Sequence, residues 1–289
     1  MHRITSGWKH TTLRLVGMSL VGALPAMATT IAVPADQPTI AAALAVAAPG
    51  DTVHVAGGFY NEKLEVPRGL DDLTIEGDVG FGSAVIGTAG TSDDILRIRA
   101  NRVTVQNLVL VGGNTAIRLD YSTGSIVRGV VVSGARAGIR VTRGSANLIG
   151  FCLIADSTGG AGIDVNRSPQ TSVLYNSVAN TYREGIRVQN SSTAIVFGNG
   201  VDSAAGGDGL RIYRVAAGTV SLNVVTHSAN NGLRIQTSPN ITVQGNRADA
   251  NRNFGLRVEG SPPIAAASDL VGGANTATDN LSGDFLVLP

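Results

Sequence analysis

Residues Asn231 to Val258, NGLRIQTSPNITVQGNRADANRNFGLRV, contain one full unit of a repeat that runs through most of the chain. The stretch opens with NGLRI and closes with FGLRV, so a tetrad of small, apolar, polar and apolar residues recurs. The first apolar residue of the tetrad returns in steps of 22 to 24 residues, at Ile117, Ile139, Ile163, Ile186, Leu210, Leu233 and Leu256. A fixed period of this length indicates a solenoid, in which each unit stacks on the next.

Each period also contains two further short segments of β-branched or apolar residues, separated by Gly, Asn and Ser. Segments this short cannot be helices, and their composition favours strands. Three strands per period, stacked on the same three strands of the next, predict an all-β coil of parallel sheet with about eleven coils. Residues about two dozen apart in sequence should then be neighbours in space.

A column of turn residues runs in step with the tetrads. We assign to it Asn107, Gly129, Cys152, Asn176, Asn199, Asn223 and Asn246. Stacked Asn amides can hydrogen-bond along such a column and accept turn conformations that other residues resist. We therefore interpret the Asn residues as structural, and the single cysteine, Cys152, as a small buried filler that makes no intramolecular disulfide.

The N-terminal region has the pattern of a secretory signal peptide, residues 1–28. Arg3, Lys9 and Arg14 precede the apolar run Leu15 to Leu24, and Ala26-Met27-Ala28 fits a small-x-small cleavage site. The run is too short to span a membrane, and no other long apolar run follows, so we expect a secreted, periplasmic or cell-surface protein without a membrane span. Removing three basic side chains changes the net charge from +1 to −2, which gives no reason to expect a nucleic-acid partner.

The mature chain divides into a cap, residues 29–50, and a solenoid, residues 51–289. Within the cap, Asp36 or Thr39 can start a short Ala-rich helix over 38–48 with Ile40 and Leu44 on one face, and Pro49-Gly50 ends it. An amphipathic helix at this place would cover the open end of the sheets, as terminal caps do in repeat proteins. Coiling is expected from about Asp51.

The outward position of the tetrad is the candidate binding site, because inside a strand alternate residues face opposite ways. It contains Arg118, Arg140, Asp164, Arg187, Arg211, Arg234 and Arg257, with Arg97 one unit earlier. The next outward position includes Asp120, Tyr213 and Glu259, and just past it lie Arg143, Arg167 and Arg214. A column of guanidinium groups suits a linear polyanion, since Arg binds carboxylates bidentately. The alternative is a solvated face partly neutralised by Glu184, Asp208, Asp120 and Glu259.

These features resemble the right-handed parallel β-helix, or pectin-lyase-like, superfamily. The tandem tetrads with their Asn column resemble it, and the segment PTIAAALAVAAPGDTVHVAGGFYNEKLEV, residues 38–66, is similar to the start of many exported β-helix proteins and pectin methylesterases. The resemblance covers residues 31–289. It implies a right-handed parallel β-helix with a short N-terminal capping helix, in a secreted protein that acts on or binds polysaccharide. Fold alone does not choose among these activities.

The enzyme signatures of the superfamily are largely absent from the sequence. There is no polygalacturonase set, no Asp-Pro-His of alginate epimerases and no methylesterase stretch, and carboxylates do not cluster as a calcium site requires. His54 and His227 lie far apart, so we expect no His-based metal site and no cofactor. A lyase could still be assembled, with Arg187 and Arg211 neutralising a uronate carboxylate and Tyr213 moving a proton.

Three functions therefore remain open from the sequence. The first is a non-catalytic exported protein that binds an anionic polysaccharide or cell-envelope glycan along the arginine column. The second is a polysaccharide lyase or related enzyme on uronate polymers, centred on Tyr213, Arg211 and Arg187. The third is a structural cell-surface protein without a ligand.

Overall fold

The computed structural model describes residues 27–78, 83–88, 92–262 and 267–288. Residues 1–26, which include most of the predicted signal peptide, lie outside the described residues. The described chain is a β-solenoid of parallel strands, as the repeat predicts, and each coil passes in order through three faces. None of the helices in the described ranges has the length and hydropathy that crossing a membrane requires.

Face 1 comprises β1 (Thr30–Val33), β2 (Thr52–Val55), β5 (Thr74–Gly77), β8 (Thr104–Gln106), β11 (Ile126–Arg128), β14 (Leu148–Gly150), β17 (Thr171–Leu174), the second halves of the long strands β19 (Ile186–Phe197) and β21 (Leu210–Ser221), and β24 (Ile241–Gln244). Face 2 comprises β3 (Gly58–Asn61), β6 (Ala84–Thr88), β9 (Val109–Gly112), β12 (Val131–Ser133), β15 (Leu153–Ser157), β18 (Ser177–Thr181), β20 (Gly200–Ala204), β22 (Val224–Thr226), β25 (Arg247–Asp249) and β27 (Thr276–Thr278). Face 3 comprises β4 (Leu64–Val66), β7 (Leu96–Ile98), β10 (Thr115–Asp120), β13 (Ala137–Thr142), β16 (Ile163–Asn166), the first halves of β19 (Ile186–Phe197) and β21 (Leu210–Ser221), β23 (Leu233–Gln236), β26 (Phe254–Glu259) and β28 (Gly283–Leu288). Each face thus has ten strand layers in the described chain, close to the predicted eleven coils.

The tetrads form face 3 because their two apolar residues point into the solenoid. Ile186, Leu210 and Leu233 are paired in successive layers and are at most 2% exposed. The neighbouring face 2 restricts the size of the residue before them, because a Cβ on Gly209 would lie 2.1 Å from Cγ1 of Val225. The tetrad is therefore a packing motif, with a small residue where two strands approach closely and two stacked apolar residues filling the core.

The Asn column is a continuous hydrogen-bonded ladder inside the turn between faces 1 and 2. The side-chain amide of Asn176 donates to Oδ1 of Asn199 at 3.0 Å, and that of Asn199 donates to Asn223 at 2.9 Å. The ladder continues through Asn246 to Asn275, beyond the repeat seen in the sequence. The structural interpretation of these residues is confirmed.

The first members of that column were assigned one residue too early. The strand register aligns Val130 and Leu108 with Cys152. Asn107 and Gly129 occupy the position just before this column, where their φ values are 55° and 60°. The early layers therefore fill this site with apolar side chains. Cys152 lies where the apolar and Asn segments meet, and it is 2% exposed, as predicted for a filler.

The N-terminal segment contributes more than a helix. Helix α1 (Ile40–Val46) begins after Thr39, whose hydroxyl accepts a hydrogen bond from Ala42 N, and Ile40 and Leu44 are buried as predicted. However, β1 pairs in parallel with β2, so stacking begins at Thr30 and not near Asp51. The start of the repeat is hidden in sequence because β1 is followed by the helix and not by strands of faces 2 and 3.

Equal spacing also misled the assignment of Leu96. The spacing of about 20 to 23 residues between the apolar–polar–apolar segments at 53–55, 73–75 and 96–98 predicts one column of strands that leads to Ile117. Instead, Ile75 pairs with Val105 on face 1, whereas Leu96 stacks between Leu64 and Ile117 on face 3. The coil through β6 is longer than the others. At the other end, the insertion after Gly260 contains helix α2 (Ala267–Gly272), whose Leu270 is 1% exposed and joins the core.

Candidate functional site

The predicted outward column is in register along face 3. Arg97, Arg118 and Arg140 are paired in successive strands, Asp164 follows, and Arg187, Arg211, Arg234 and Arg257 complete the column. All seven predicted ligand-binding residues therefore lie on one face. At about 4.8 Å per layer the column is about 34 Å long.

Carboxylates are interleaved with these arginines. Asp164 lies between two of them, 2.9 Å from Nη2 of Arg187 and 3.6 Å from Nε of Arg140. Glu184 lies 3.5 Å from both Arg187 and Arg211. The remaining arginines pair similarly, Arg97 and Arg118 with Asp120, Arg118 with Asp94, Arg234 with Asp208, and Arg234 and Arg257 with Glu259. The column is an ion-pair ladder and not a bare cationic stripe.

The carboxylates and the guanidinium groups of the ladder differ in their exposure to solvent. The side chains of Asp164, Glu184 and Asp208 are 2% to 9% exposed, whereas those of Arg187 and Arg211 are 19% and 28% exposed. The carboxylates therefore lie beneath, and solvent meets the guanidinium groups. The hydrogen bonds that Arg187 donates to Asp164 raise the pKa of Arg187. Burial raises the pKa of Asp208 against the opposing hydrogen bonds that Asn231 donates to it. Buried anions that hold exposed arginines in place reduce the entropy those side chains lose on binding.

The three residues proposed for catalysis are also brought together. Arg187 and Arg211 occupy paired positions on the adjacent strands β19 and β21, and Tyr213 is the next outward residue on β21. The ring of Tyr213 lies between two cations, with Cζ of Arg211 at 5.3 Å and Cζ of Arg214 at 4.8 Å from its centroid. Both distances are within the range of cation–π attraction.

An open depression of about 410 Å³ borders this part of the ladder. It is lined by Tyr182, Arg183, Glu184, Ala205 and Gly206, at the bend where face 2 leads into face 3. Glu184 is common to the depression and to the ladder. No residue pattern predicts this concavity, because it arises from the course of the turns and not from a residue type.

A second set of cations lies at the bend between faces 3 and 1. We call this the corner column, and it comprises Tyr121, Arg143, Arg167, Asn190, Arg214 and Thr237, all with φ between 49° and 62°. Arg143, Arg167 and Arg214 are exposed, and none forms an ion pair with any carboxylate in the part of the chain that the structure describes. The sequence places these arginines beside the main column but does not distinguish paired from unpaired cations.

The sequence model of the family described as "Right handed beta helix region" matches residues 161–283, and that of "Periplasmic copper-binding protein (NosD)" matches residues 82–210. The solenoid aligns with the A-module of mannuronan C-5 epimerase AlgE4 from Azotobacter vinelandii at 14% identity and a TM-score of 0.56, covering 83% of this chain and 89% of that one. The chain is thus a parallel β-helix protein with a pectin-lyase-like fold.

Other solved structures agree on the fold. An alginate lyase from Paenibacillus aligns at 14% identity with a TM-score of 0.52, covering 90% of this chain and 99% of that one. A double mutant of the periplasmic alginate epimerase AlgG aligns at 13% identity with a TM-score of 0.54, covering 82% and 72%. No curated protein sequence matches the chain. At these identities the likeness concerns the fold.

The region that matches the copper-binding family does not contain ligands suited to copper. Residues 82–210 contain no His and no Met, and their single Cys is Cys152. Burial raises the pKa of the Cys152 thiol to about 11, and its sulfur faces backbone groups within the turn. Soft or imidazole ligands select copper, so residues 82–210 do not fit the metal that the family's description names.

Proposed function

We propose that the protein is exported and binds an anionic polysaccharide of the uronate type along face 3. The observation that supports this most strongly is the layering of charge: an in-register ladder in which guanidinium groups face solvent and their carboxylate partners lie beneath. A guanidinium has five N–H donors, and one or two ion pairs leave donors free for a ligand carboxylate or hydroxyl.

The dimensions of the ladder support an extended ligand. Its length of about 34 Å and its spacing of about 4.8 Å match a chain that presents a charge at regular intervals. Several solved structures of similar fold are, by name, alginate epimerases and an alginate lyase. The predicted mature chain has an acidic net charge, but seven of its arginines lie in register in one column on face 3.

Binding to polymannuronate, with uncharged dextran as the control polymer, tests the proposal. We expect affinity for polymannuronate that falls steeply between low and high salt, since exposed charges are screened within a Debye length of about 10 Å at 0.1 M. Affinity that does not change with salt, or no affinity at all, would contradict the proposal and favour a structural role without ligand.

A second candidate, a lyase or related enzyme on uronate polymers, is favoured by one specific arrangement. Arg187 and Arg211 can neutralise a uronate carboxylate, which acidifies the adjacent C5–H, and Tyr213 lies beside them to accept that proton or protonate the leaving oxygen. Ultraviolet absorbance of unsaturated uronate ends on alginate and pectate tests it. A signal that Tyr213→Phe abolishes would support the lyase, and no signal on any substrate would remove it.

A further inference from the structure

The corner column differs from the main ladder in what its cations contact. Arg187 is held by two carboxylates, and its side chain is 19% exposed. Arg167, in contrast, is exposed and forms no ion pair in the described chain. An arginine that is already ion-paired in the free protein must weaken or share that ion pair when a ligand carboxylate binds. An unpaired arginine binds the carboxylate without this loss of interaction energy. The ligand's charge should therefore be neutralised mainly at the corner.

The backbone of the corner column presents its side chains along one edge. Arg143, Arg167 and Arg214 have φ values of 56°, 53° and 53°, the left-handed region in which L-residues are uncommon. The register of the neighbouring strands places Arg143 one layer before Arg167, and Arg214 two layers after it, with Asn190 between. The column thus repeats at the same layer spacing as the ladder beside it.

Aromatic rings fix two of these arginines without neutralising them. Tyr121 accepts a hydrogen bond from Nη1 of Arg143 at 2.6 Å, and Arg68 lies over the same ring at 5.5 Å. Arg214 lies over Tyr213 at 4.8 Å. Such aromatic contacts hold a guanidinium in place and leave most of its N–H groups free, an arrangement suited to capturing anions.

We propose that the corner column, and not the ion-paired ladder, binds the carboxylate groups of the ligand and sets its selectivity for charge density. This inference rests on the proposed polysaccharide binding. The ladder then contacts the sugar hydroxyls, while Arg143, Arg167 and Arg214 pair with uronate groups one and two layers apart. The preferred ligand is a homopolyuronate with a carboxylate on every sugar. Hyaluronan, in which uronate alternates with a neutral sugar, binds more weakly.

The test compares two charge-matched double variants. R167Q/R214Q removes two unpaired cations from the corner column, and R128Q/R252Q removes two exposed cations that also lack an ion pair in the described chain but lie on face 1 and before β26. Each variant lowers the net charge by two. We expect both to keep the wild-type melting temperature, because no buried carboxylate loses a partner.

Affinities for polymannuronate and hyaluronan are measured by calorimetry at low salt. The expected result is a loss of about five- to thirtyfold for R167Q/R214Q on polymannuronate, a smaller loss on hyaluronan, and less than about a twofold change for R128Q/R252Q. Equal losses in both variants, or none in either, would overturn the corner assignment and leave polysaccharide binding intact. If the wild-type protein binds neither polymer, both proposals fail.

Discussion

Replacing Asn199 with alanine is the sharpest test of the asparagine hydrogen-bond ladder that joins successive coils. Asn199 is 1% exposed. Its Oδ1 accepts hydrogen bonds from N and Nδ2 of Asn176, both at 3.0 Å, and its Nδ2 donates to Val173 O and to Oδ1 of Asn223, both at 2.9 Å. Its Nδ2 also donates to Phe197 O at 3.2 Å. The substitution removes all five hydrogen bonds.

Three of the five partner atoms retain another hydrogen bond. Asn176 Nδ2 also donates to Ile149 O, Asn223 Oδ1 also accepts from Asn199 N, and Phe197 O also accepts from Tyr175 N. The backbone groups Asn176 N and Val173 O lose the bonds that the side chain of Asn199 provided. At about 1 to 3 kcal/mol for each of these two buried polar groups left unpaired, N199A should destabilise the fold by about 2 to 6 kcal/mol.

The assay is denaturant unfolding of N199A beside a matched variant, N166A. Asn166 is half-buried, and its side chain accepts one hydrogen bond, from Asn190 at 3.0 Å in an exposed setting. N166A should therefore cost less than about 1 kcal/mol. An N199A free energy of unfolding within about 1 kcal/mol of that of N166A, at an unchanged m-value, would refute the ladder as a source of stability.

Three further predictions concern single buried groups. R187M should cost about 2 to 4 kcal/mol, since it withdraws the closest partner of Asp164 and a partner of Glu184; the double variant D164N/R187M should cost measurably less than the sum of its single changes, and additivity would contradict the coupling. D208N should gain stability relative to wild type as pH rises above 3.8. Burial raises the pKa of Asp208, so wild-type stability associated with the protonated carboxyl is present at low pH and is lost as pH passes the folded-state pKa. A difference in unfolding free energy between D208N and wild type that does not change with pH would contradict this. C152N should stabilise the protein by about 0.5 to 1.5 kcal/mol in thermal unfolding, because Oδ1 of Asn176 already faces this position, and C152N should be more stable than C152A; the opposite order would contradict extension of the ladder.

The sequence predicted the architecture and one face well because each depends on a local alternation repeated many times. An apolar–polar–apolar tetrad fixes which residue faces out, so the stacking of Arg187 on Arg211 could be deduced without coordinates. The Asn ladder was visible for the same reason. What failed were the irregular coils, where β1 precedes a helix and where the coil through β6 is longer.

The chemistry of the face was less predictable than its position. Sequence spacing suggested that Glu184 and Asp208 were near the arginines, but not that they lie beneath them. It also could not show that Arg167 and Arg214 lack a carboxylate partner in the described chain, since pairing depends on side-chain direction at bends with positive φ. Such bends have no strong signature here, because they are occupied by Tyr, Arg, Asn and Thr as well as Gly.

Hydroxyl-radical footprinting with and without polymannuronate tests most directly where the ligand binds. Tyr121, in the corner column, and Tyr175, at the bend between faces 1 and 2, are 46% and 50% exposed and serve as matched reporters. Ligand along face 3 and its corner should protect Tyr121 and Tyr213 and leave Tyr175 unchanged. Protection of Tyr175 without protection of Tyr121 and Tyr213 would contradict the assignment of face 3 as the binding surface.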